Sequence, residues 1–401
     1  MSVKTLFQQE LQEIRRDLRR PVFLFGAALA YLIVFGILYL PNIVTAVPCV
    51  VLDEENSALS RRLVQDFAAS DSYRITAYVN TQEEMRQALR EKQAIAAIDI
   101  PHDFSKKAKT GTYAIVLYLV NGSNIILTNI TSGAAQDIVA DFSNRLAARQ
   151  AALRYGLDEG AALRAIAPVA VHLRVLYNTT QGYLYFFMLG LAIVAYQQGV
   201  LFAVGASSLY EAEHPEAMAD APIWKIVLVK TIVYWLLGMA SYALVIAFVT
   251  QVLEIPLHAP LLPLVLLAAT FLLAVIAFCF FFAAFFPAEL PFVRAVILYP
   301  VPAFIFSGYT WPLQSTGQGM QLVAQFFPLT HFSNTVRELF LIGSSPNYAV
   351  CLEKLAGLTV LFFLLGGILY GRRLRRARRA AGESGGMPFP RALRLLRAFL
   401  R

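Results

Sequence analysis

Apolar residues fall in long unbroken runs along this chain, and the runs set its plan. Val22–Leu40 is the first, 19 apolar or small residues bounded by Pro21 and Pro41. Others follow at about 183–206, 226–250, 261–286, 292–308 and 355–371. A run near 20 residues is long enough to cross a bilayer as a helix, so six spans are expected. The fifth is short and carries Pro300 and Pro302, which predict a break. Ahead of the first run, Leu6, Phe7, Leu11, Ile14 and Leu18 mark one side of a helix. Lys4, Glu10, Glu13, Arg15 and Asp17 are assigned mostly to the other, giving a helix that lies on the membrane surface.

Between the first two spans the pattern changes to short alternating segments. Strands are expected at Pro48–Asp53, Tyr73–Tyr78, Ala94–Ile100 and Ala114–Val120, with helices near Ser57–Ala69 and Thr81–Glu91. A long helix over Ser123–Tyr155 follows, then a half-buried strand at Val169–Val175. Residues 41–181 contain 14 basic and 14 acidic side chains. They read as a neutral α/β domain outside the membrane.

Composition agrees: 58% of the 401 residues are apolar and 15% charged. The net charge of +8 is concentrated at the ends, since five of the 34 lysines and arginines precede Pro21 and ten follow Gly371. Basic flanks hold loops in the cytoplasm, so both termini are expected there and residues 41–181 outside. The same distribution favours contact with membrane lipids over nucleic acid. The predicted organisation is an interfacial helix at 1–20, a first span at 21–40, the α/β domain at 41–181, five spans over 182–371 and a basic tail at 372–401. Within the five-span part, an acidic loop is expected at 207–224 and a re-entrant segment at 309–350, with amphipathic character around Met320–Phe327.

The acidic loop breaks the charge rule, because Glu211, Glu213, Glu216 and Asp220 lie on the side expected to be basic. That marks a surface kept for a protein partner. The chain has no phosphate-binding loop, no His-Glu-x-x-His and no Gly-x-Ser-x-Gly, so no catalytic or nucleotide site of its own is expected. Cys49, Cys279 and Cys351 are too scattered for a metal site, and no metal is expected. Gln197, Gln198 and Ser241 are the clearest polar residues within spans, with no buried carboxylate relay expected.

The order of one span, a large outside domain and five further spans resembles the ABC-2 type permeases of bacterial exporters. Val51-Leu-Asp-Glu-Glu-Asn-Ser57 with Ser60, Ile100-Pro101 before Asp103-Phe104-Ser105, and Asn121-Gly-Ser-Asn124 carry the likeness in the outside domain. In the membrane half it is carried by Ser307-Gly308-Tyr309 with Pro312, and by Phe327-Pro328-Leu329-Thr330-His331 with Arg337 beyond. Glu211-Ala-Glu213 is similar to the start of the family's coupling motif, while His214-Pro215-Glu216-Ala217 departs from it. The resemblance implies an inner-membrane permease subunit that exports drugs, lipids or other amphiphiles. It implies a separate ATP-binding subunit holding ATP and Mg, a second permease subunit and a periplasmic adaptor. Glu211, Glu213, His214 and Glu216 would then couple to the ATPase, and Ser307, Gly308, Tyr309, Pro312, Pro328 and His331 would form the outer gate. The reading from another class is a membrane-anchored ligand sensor, against which the inside offers only short loops and a tail.

Overall fold

The computed structural model describes residues 2–40, 44–110, 114–156, 158–166, 176–178, 182–214 and 221–383. In chain order its elements are α1 (Val3–Arg16), α2 (Arg19–Tyr39), β1 (Val47–Asp53), α3 (Ala58–Ala69), β2 (Tyr73–Val79), α4 (Gln82–Arg90), β3 (Ala96–Ile100), α5 (Phe104–Thr110), β4 (Leu117–Val120), α6 (Ile125–Tyr155) and α7 (Glu159–Ile166). There follow α8 (Tyr183–Glu213), α9 (Ile223–Gln251), α10 (Leu261–Ala283), α11 (Glu289–Leu298), α12 (Pro300–Phe306), α13 (Gln318–Ala324), α14 (Pro328–Leu341) and α15 (Tyr348–Glu383). The chain divides into two compact units, Ile43–Val175 and the remainder.

The smaller unit is built on a four-stranded sheet in the order β2-β1-β3-β4, with β1 parallel to both neighbours and β3 antiparallel to β4. Side chains alternate across a strand, so Cys49 and Val51 face one way and Val50 and Leu52 the other. Both faces are covered. Leu63, Phe67, Phe104 and Phe142 pack on the first, and Met85 and Ala88 on the second. This double burial explains why β1 reads as a nearly continuous apolar run. The turn after β1 is fixed by Asp53, whose Oδ1 accepts from the amide of Asn56 at 2.8 Å while Oδ2 accepts from Ser60 Oγ at 2.6 Å. Ser57 and Ser60 cap α3 reciprocally, and Glu55 accepts from the Ser105 amide and hydroxyl, the latter at 2.6 Å. The residues that carry the family likeness here are thus turn and cap residues. β3 and β4 begin two and three residues later than the pattern predicts, because pairing with β1 and β3 starts only there. The strand expected at Val169–Val175 lies outside the described residues.

The larger unit is helical. Among the described residues five helices (α2, α8, α9, α10, α15) are long and apolar enough to cross a membrane, and α11 with α12, bent by 40°, makes a sixth if the pair is one span. The bend falls where Pro300 starts a new helix, since proline lacks the amide that would continue the old one. α8 is the axis: nearly all of its apolar window is buried, and α2, α9, α10, α11 and α14 pack against it. α2 and α15 are peripheral and leave Val22, Ile33, Ile37, Leu38, Val360, Leu364 and Ile368 exposed. The last helix departs from expectation at both ends. It begins at Tyr348 and runs unbroken through the arginine-rich stretch to Glu383, about 54 Å at the usual rise.

Candidate functional site

The ends of α8 and α15, the starts of α2, α9 and α11, and the whole of α1 meet at one end of the bundle, joined by polar contacts. At its centre is Lys230, 1% exposed. Its Nζ lies 2.7 Å from Glu10 Oε2 and 3.0 Å from Glu211 Oε1, both carboxylates also being buried. Ser207 Oγ donates to Glu10 Oε1 at 2.6 Å and also touches Lys230 Nζ. Tyr370 on α15 donates its hydroxyl to Glu211 Oε2 at 2.6 Å. Arg20, 3% exposed, reaches Glu10 at 3.7 Å, Glu13 at 3.5 Å and Asp17 at 3.4 Å, and lies over the Tyr210 ring. Burying a charge is costly unless it is paired and hydrogen-bonded. Here each buried charge has an opposite partner, so five helices are tied by one network.

This cluster corrects one expectation and adds a buried carboxylate just past an expected span. Glu10 was assigned to the polar side of α1, yet it lies with Leu6 and Ile14 on the buried stripe. The spacing 6, 10, 14 is one residue per helical turn on one face. Glu211 lies beyond the expected end of the second span, yet α8 continues through it and leaves it 1% exposed. Lys230 was the available signal, because a lysine inside an apolar run needs a partner.

The expected loop at 207–224 is half helix. Ser207 to Glu213 continue α8, with Ser208 Oγ bonding back to the Val204 carbonyl at 2.8 Å. Glu211 turns inward and is taken up by Lys230 and Tyr370. Glu213 is exposed, accepting from the Glu289 amide at 3.1 Å, and Glu289 pairs with Arg19 at 3.4 Å. His214 is also exposed, its ring stacked on Tyr210 at 4.4 Å. Glu216, with Pro215, Ala217 and Asp220, lies outside the described residues. Arginines of α15 tie the neighbouring helix ends: Arg373 donates to the carbonyls of Ala283 and Pro287, each at 2.8 Å, and Arg378 to that of Ala221 at 3.0 Å.

The second group of predicted residues gathers at the other end of α8. Gly308 has φ +71°, a backbone state that side chains disfavour. It turns the chain after α12 so that Tyr309 folds back over Gly190, where an added Cβ would stand 2.6 Å from the ring. The Tyr309 hydroxyl donates to the Phe186 carbonyl, and Ser307 Oγ accepts from the Tyr309 amide at 3.2 Å. Pro312 precedes a short 3-10 turn at Leu313–Ser315, and Pro328 opens α14, where its missing amide costs nothing. His331, 5% exposed, bonds the Gln325 carbonyl through Nε2 at 3.0 Å. Segment 309–350 is therefore mainly helical. α14 is packed against α8, α10 and α15, whereas α13 leaves Met320, Leu322 and Val323 exposed. Phe186 and Glu211 are 25 residues apart on α8, about 37 Å, so the two groups are separated by more than the roughly 30 Å of a hydrocarbon core. All three cysteines are free.

A model of ABC-2 family transporter proteins matches residues 21–371 of the chain. Over 345 residues the chain is 21% identical to the "Probable multidrug ABC transporter permease YbhR" of Escherichia coli strain K12, covering 85% of this chain and 90% of that protein. The protein of the same name from Escherichia coli O157:H7 matches to the same extent.

Proposed function

The chain belongs to the ABC-2 family of transporter proteins, and we propose that it is the permease subunit of an exporter that moves a drug, lipid or other amphiphile outward. It is a multi-pass membrane protein and the permease component of its transporter. In our reading a separate ATP-binding subunit, holding ATP and Mg, supplies the energy. The observation that carries this reading is the family match running from the first residue of the first span almost to the end of the last. The charge at the α1 and α15 ends supports an inner-membrane location with both termini cytoplasmic. The ATP-binding subunit then docks at the end bearing Glu213 and His214. Glu216 belongs to the same docking loop by its position in the sequence.

Coupling in this reading is mechanical. A push on the α8 end is passed through Glu211 to Lys230 on α9, Tyr370 on α15 and Glu10 on α1, so the helix ends move together. Movement between two discrete packings, and not continuous deformation, is what such interfaces allow. The segment holding Ser307, Gly308, Tyr309, Pro312, Pro328 and His331 acts as the outer gate. A second permease subunit, identical or related, covers the apolar faces of α2 or α15, and a periplasmic adaptor meets the α/β domain. The test is ATP-dependent uptake of a fluorescent amphiphile into inverted membrane vesicles containing the permease and its ATP-binding subunit. Uptake is expected only with both subunits and hydrolysable ATP. Equal uptake without ATP, or uptake only by right-side-out vesicles, overturns the reading.

A further inference from the structure

Arg337 is unlike the other cations described at the helix ends. It projects from α14 at the end of the bundle remote from Lys230, and it lies against a pair of aromatic rings that touch each other. Its guanidinium carbon is 4.5 Å from the Tyr309 ring centre and 5.0 Å from that of Phe186. Nη2 donates to Asn334 Oδ1 at 3.0 Å, and Asn334 in turn donates to the Ser307 carbonyl at 3.2 Å. Nη1 is buried and has no hydrogen-bond partner. Among the described residues no carboxylate pairs with this charge. By contrast, Arg20 at the other end has three.

The two rings pack on each other, 5.5 Å between centres, and together attract the guanidinium by cation–π contact, while Nη1 remains a donor without an acceptor. A planar fork of N–H groups matches the two oxygens of a phosphate or carboxylate, and such charge-assisted pairs are the strong ones. A buried donor left without an acceptor carries the full desolvation penalty, so an incoming anion relieves a cost already present. The surroundings are apolar. Tyr309 is 2% exposed, and Phe304 stacks on it at 5.5 Å between ring centres. The site therefore suits a molecule with an anionic head and an apolar body, not a free inorganic ion.

We propose that Arg337, held by Phe186 and Tyr309 and oriented by Asn334, binds the phosphate or carboxylate head of an anionic amphiphile. The amphiphile is either a resident lipid or the transported molecule itself. Binding does not depend on the transport reading above, and the experiment separates the two. The purified full-length chain in zwitterionic nanodiscs is titrated with phosphatidylglycerol and phosphatidylcholine, with binding read by native mass spectrometry. Phosphatidylglycerol is expected to bind selectively to the wild type and at least about tenfold more weakly to Arg337→Gln. Arg337→Lys, which keeps the charge but loses the fork, is expected to lose most of the selectivity and serves if the glutamine variant fails to fold. In the complex with the ATP-binding subunit, dodecyl phosphate and dodecanol are then compared as stimulators of ATP turnover. Stimulation by the phosphate alone, lost in Arg337→Lys, assigns the site to the transported molecule. Selective lipid binding with no such stimulation assigns it to a resident lipid. If the two lipids bind equally, or if both variants bind phosphatidylglycerol as the wild type does, the proposal is wrong.

Discussion

Lys230 and Glu10 are 220 residues apart in the chain and 2.7 Å apart in the structure, each about 1% exposed. The contact joins α1 to α9, and Glu211 and Tyr370 extend it to α8 and α15. Its consequences divide the predicted coupling residues into those that hold the bundle and those that face outward.

Removing Lys230 alone should be severe. Lys230→Met strands two buried carboxylates, for which a loss of about 3–5 kcal/mol is typical, a large share of a usual total stability. Glu211→Lys is worse still, bringing a second ammonium to the same buried point, and should prevent assembly. The triple variant Glu10→Gln, Glu211→Gln, Lys230→Met removes every member together and should recover much of the lost thermal stability in detergent. A triple variant no more stable than Lys230→Met would refute the pairing as its cause.

Glu213→Lys tests the outward side. The side chain is exposed and its one described bond is to the Glu289 amide, so the variant should fold and insert as the wild type does. Co-purification of the ATP-binding subunit should fall by tenfold or more, as expected when a charge pair at an interface is reversed. Undiminished co-purification would leave Glu213 as a connector only.

Acid should release α1 late. Burial works to raise the Glu10 carboxyl, but the Lys230 charge and hydrogen bond, the Ser207 hydroxyl and Arg20 outweigh it and hold the group below its usual range. A depressed carboxyl stabilises the fold above the unfolded value, about 4.3, and that stability is lost only as pH falls through the folded one. Glu13 acts in the opposite sense, because burial raises it. Arg20, Glu211, Lys230, Tyr234 and Tyr370 complete the surroundings. Hydrogen exchange of the α1 amides should stay slow from pH 7 to about 5 and quicken only below the ordinary glutamate range. In Glu10→Gln the acid-dependent step should shrink; an unchanged step would assign it elsewhere.

Thiol reagents should discriminate among the cysteines. Burial drives the Cys49 thiol up to about 12, and Cys279 is completely buried. Cys351 is half-buried and accepts a hydrogen bond from Thr335 at 3.1 Å. At pH 8 a maleimide should modify Cys351 well before the other two, as peptide mapping would reveal. Fast modification of Cys49 in the native protein would contradict the packing of β1.

Gly308→Ala should cost about 1–2 kcal/mol, the usual penalty for a side chain in the left-handed region. Its new methyl group would also stand 2.9 Å from Leu313. A loss of thermal stability below about half a kcal/mol would mean that the turn before Tyr309 relaxes freely.

Much of the helical plan was legible in the sequence because spans and the sheet follow from simple periodicities. The break at Pro300, the long helix ending at Tyr155 and the strands around Val51 and Ile98 all fall where pattern places them. The polar cluster was missed for a definite reason. Glu10 was sorted by residue type, whereas its angle on the helix puts it between Leu6 and Ile14. Ser207 and Glu211 are likewise one turn apart on α8, and the end of the apolar run at 206 suggested a loop although α8 continues to Glu213. Arg337 stood at the edge of a recognised motif, but its contact with Phe186 and Tyr309 depends on residues 151 and 28 positions away. No local pattern carries that information.

The Glu10–Lys230 contact also sets an order of events during synthesis. Chains grow at roughly 5–20 residues per second, so Glu10 leaves the ribosome roughly 10–45 s before its partner exists. Throughout that interval α1 has a carboxylate in its apolar stripe with Arg20 beside it but without the closer Lys230 ammonium. The amino-terminal helix is thus kept from docking until the third long apolar helix has been made. A chain truncated before Lys230 leaves that carboxylate with Arg20 as its one cationic partner in the cluster, by which an incomplete product differs from a finished one.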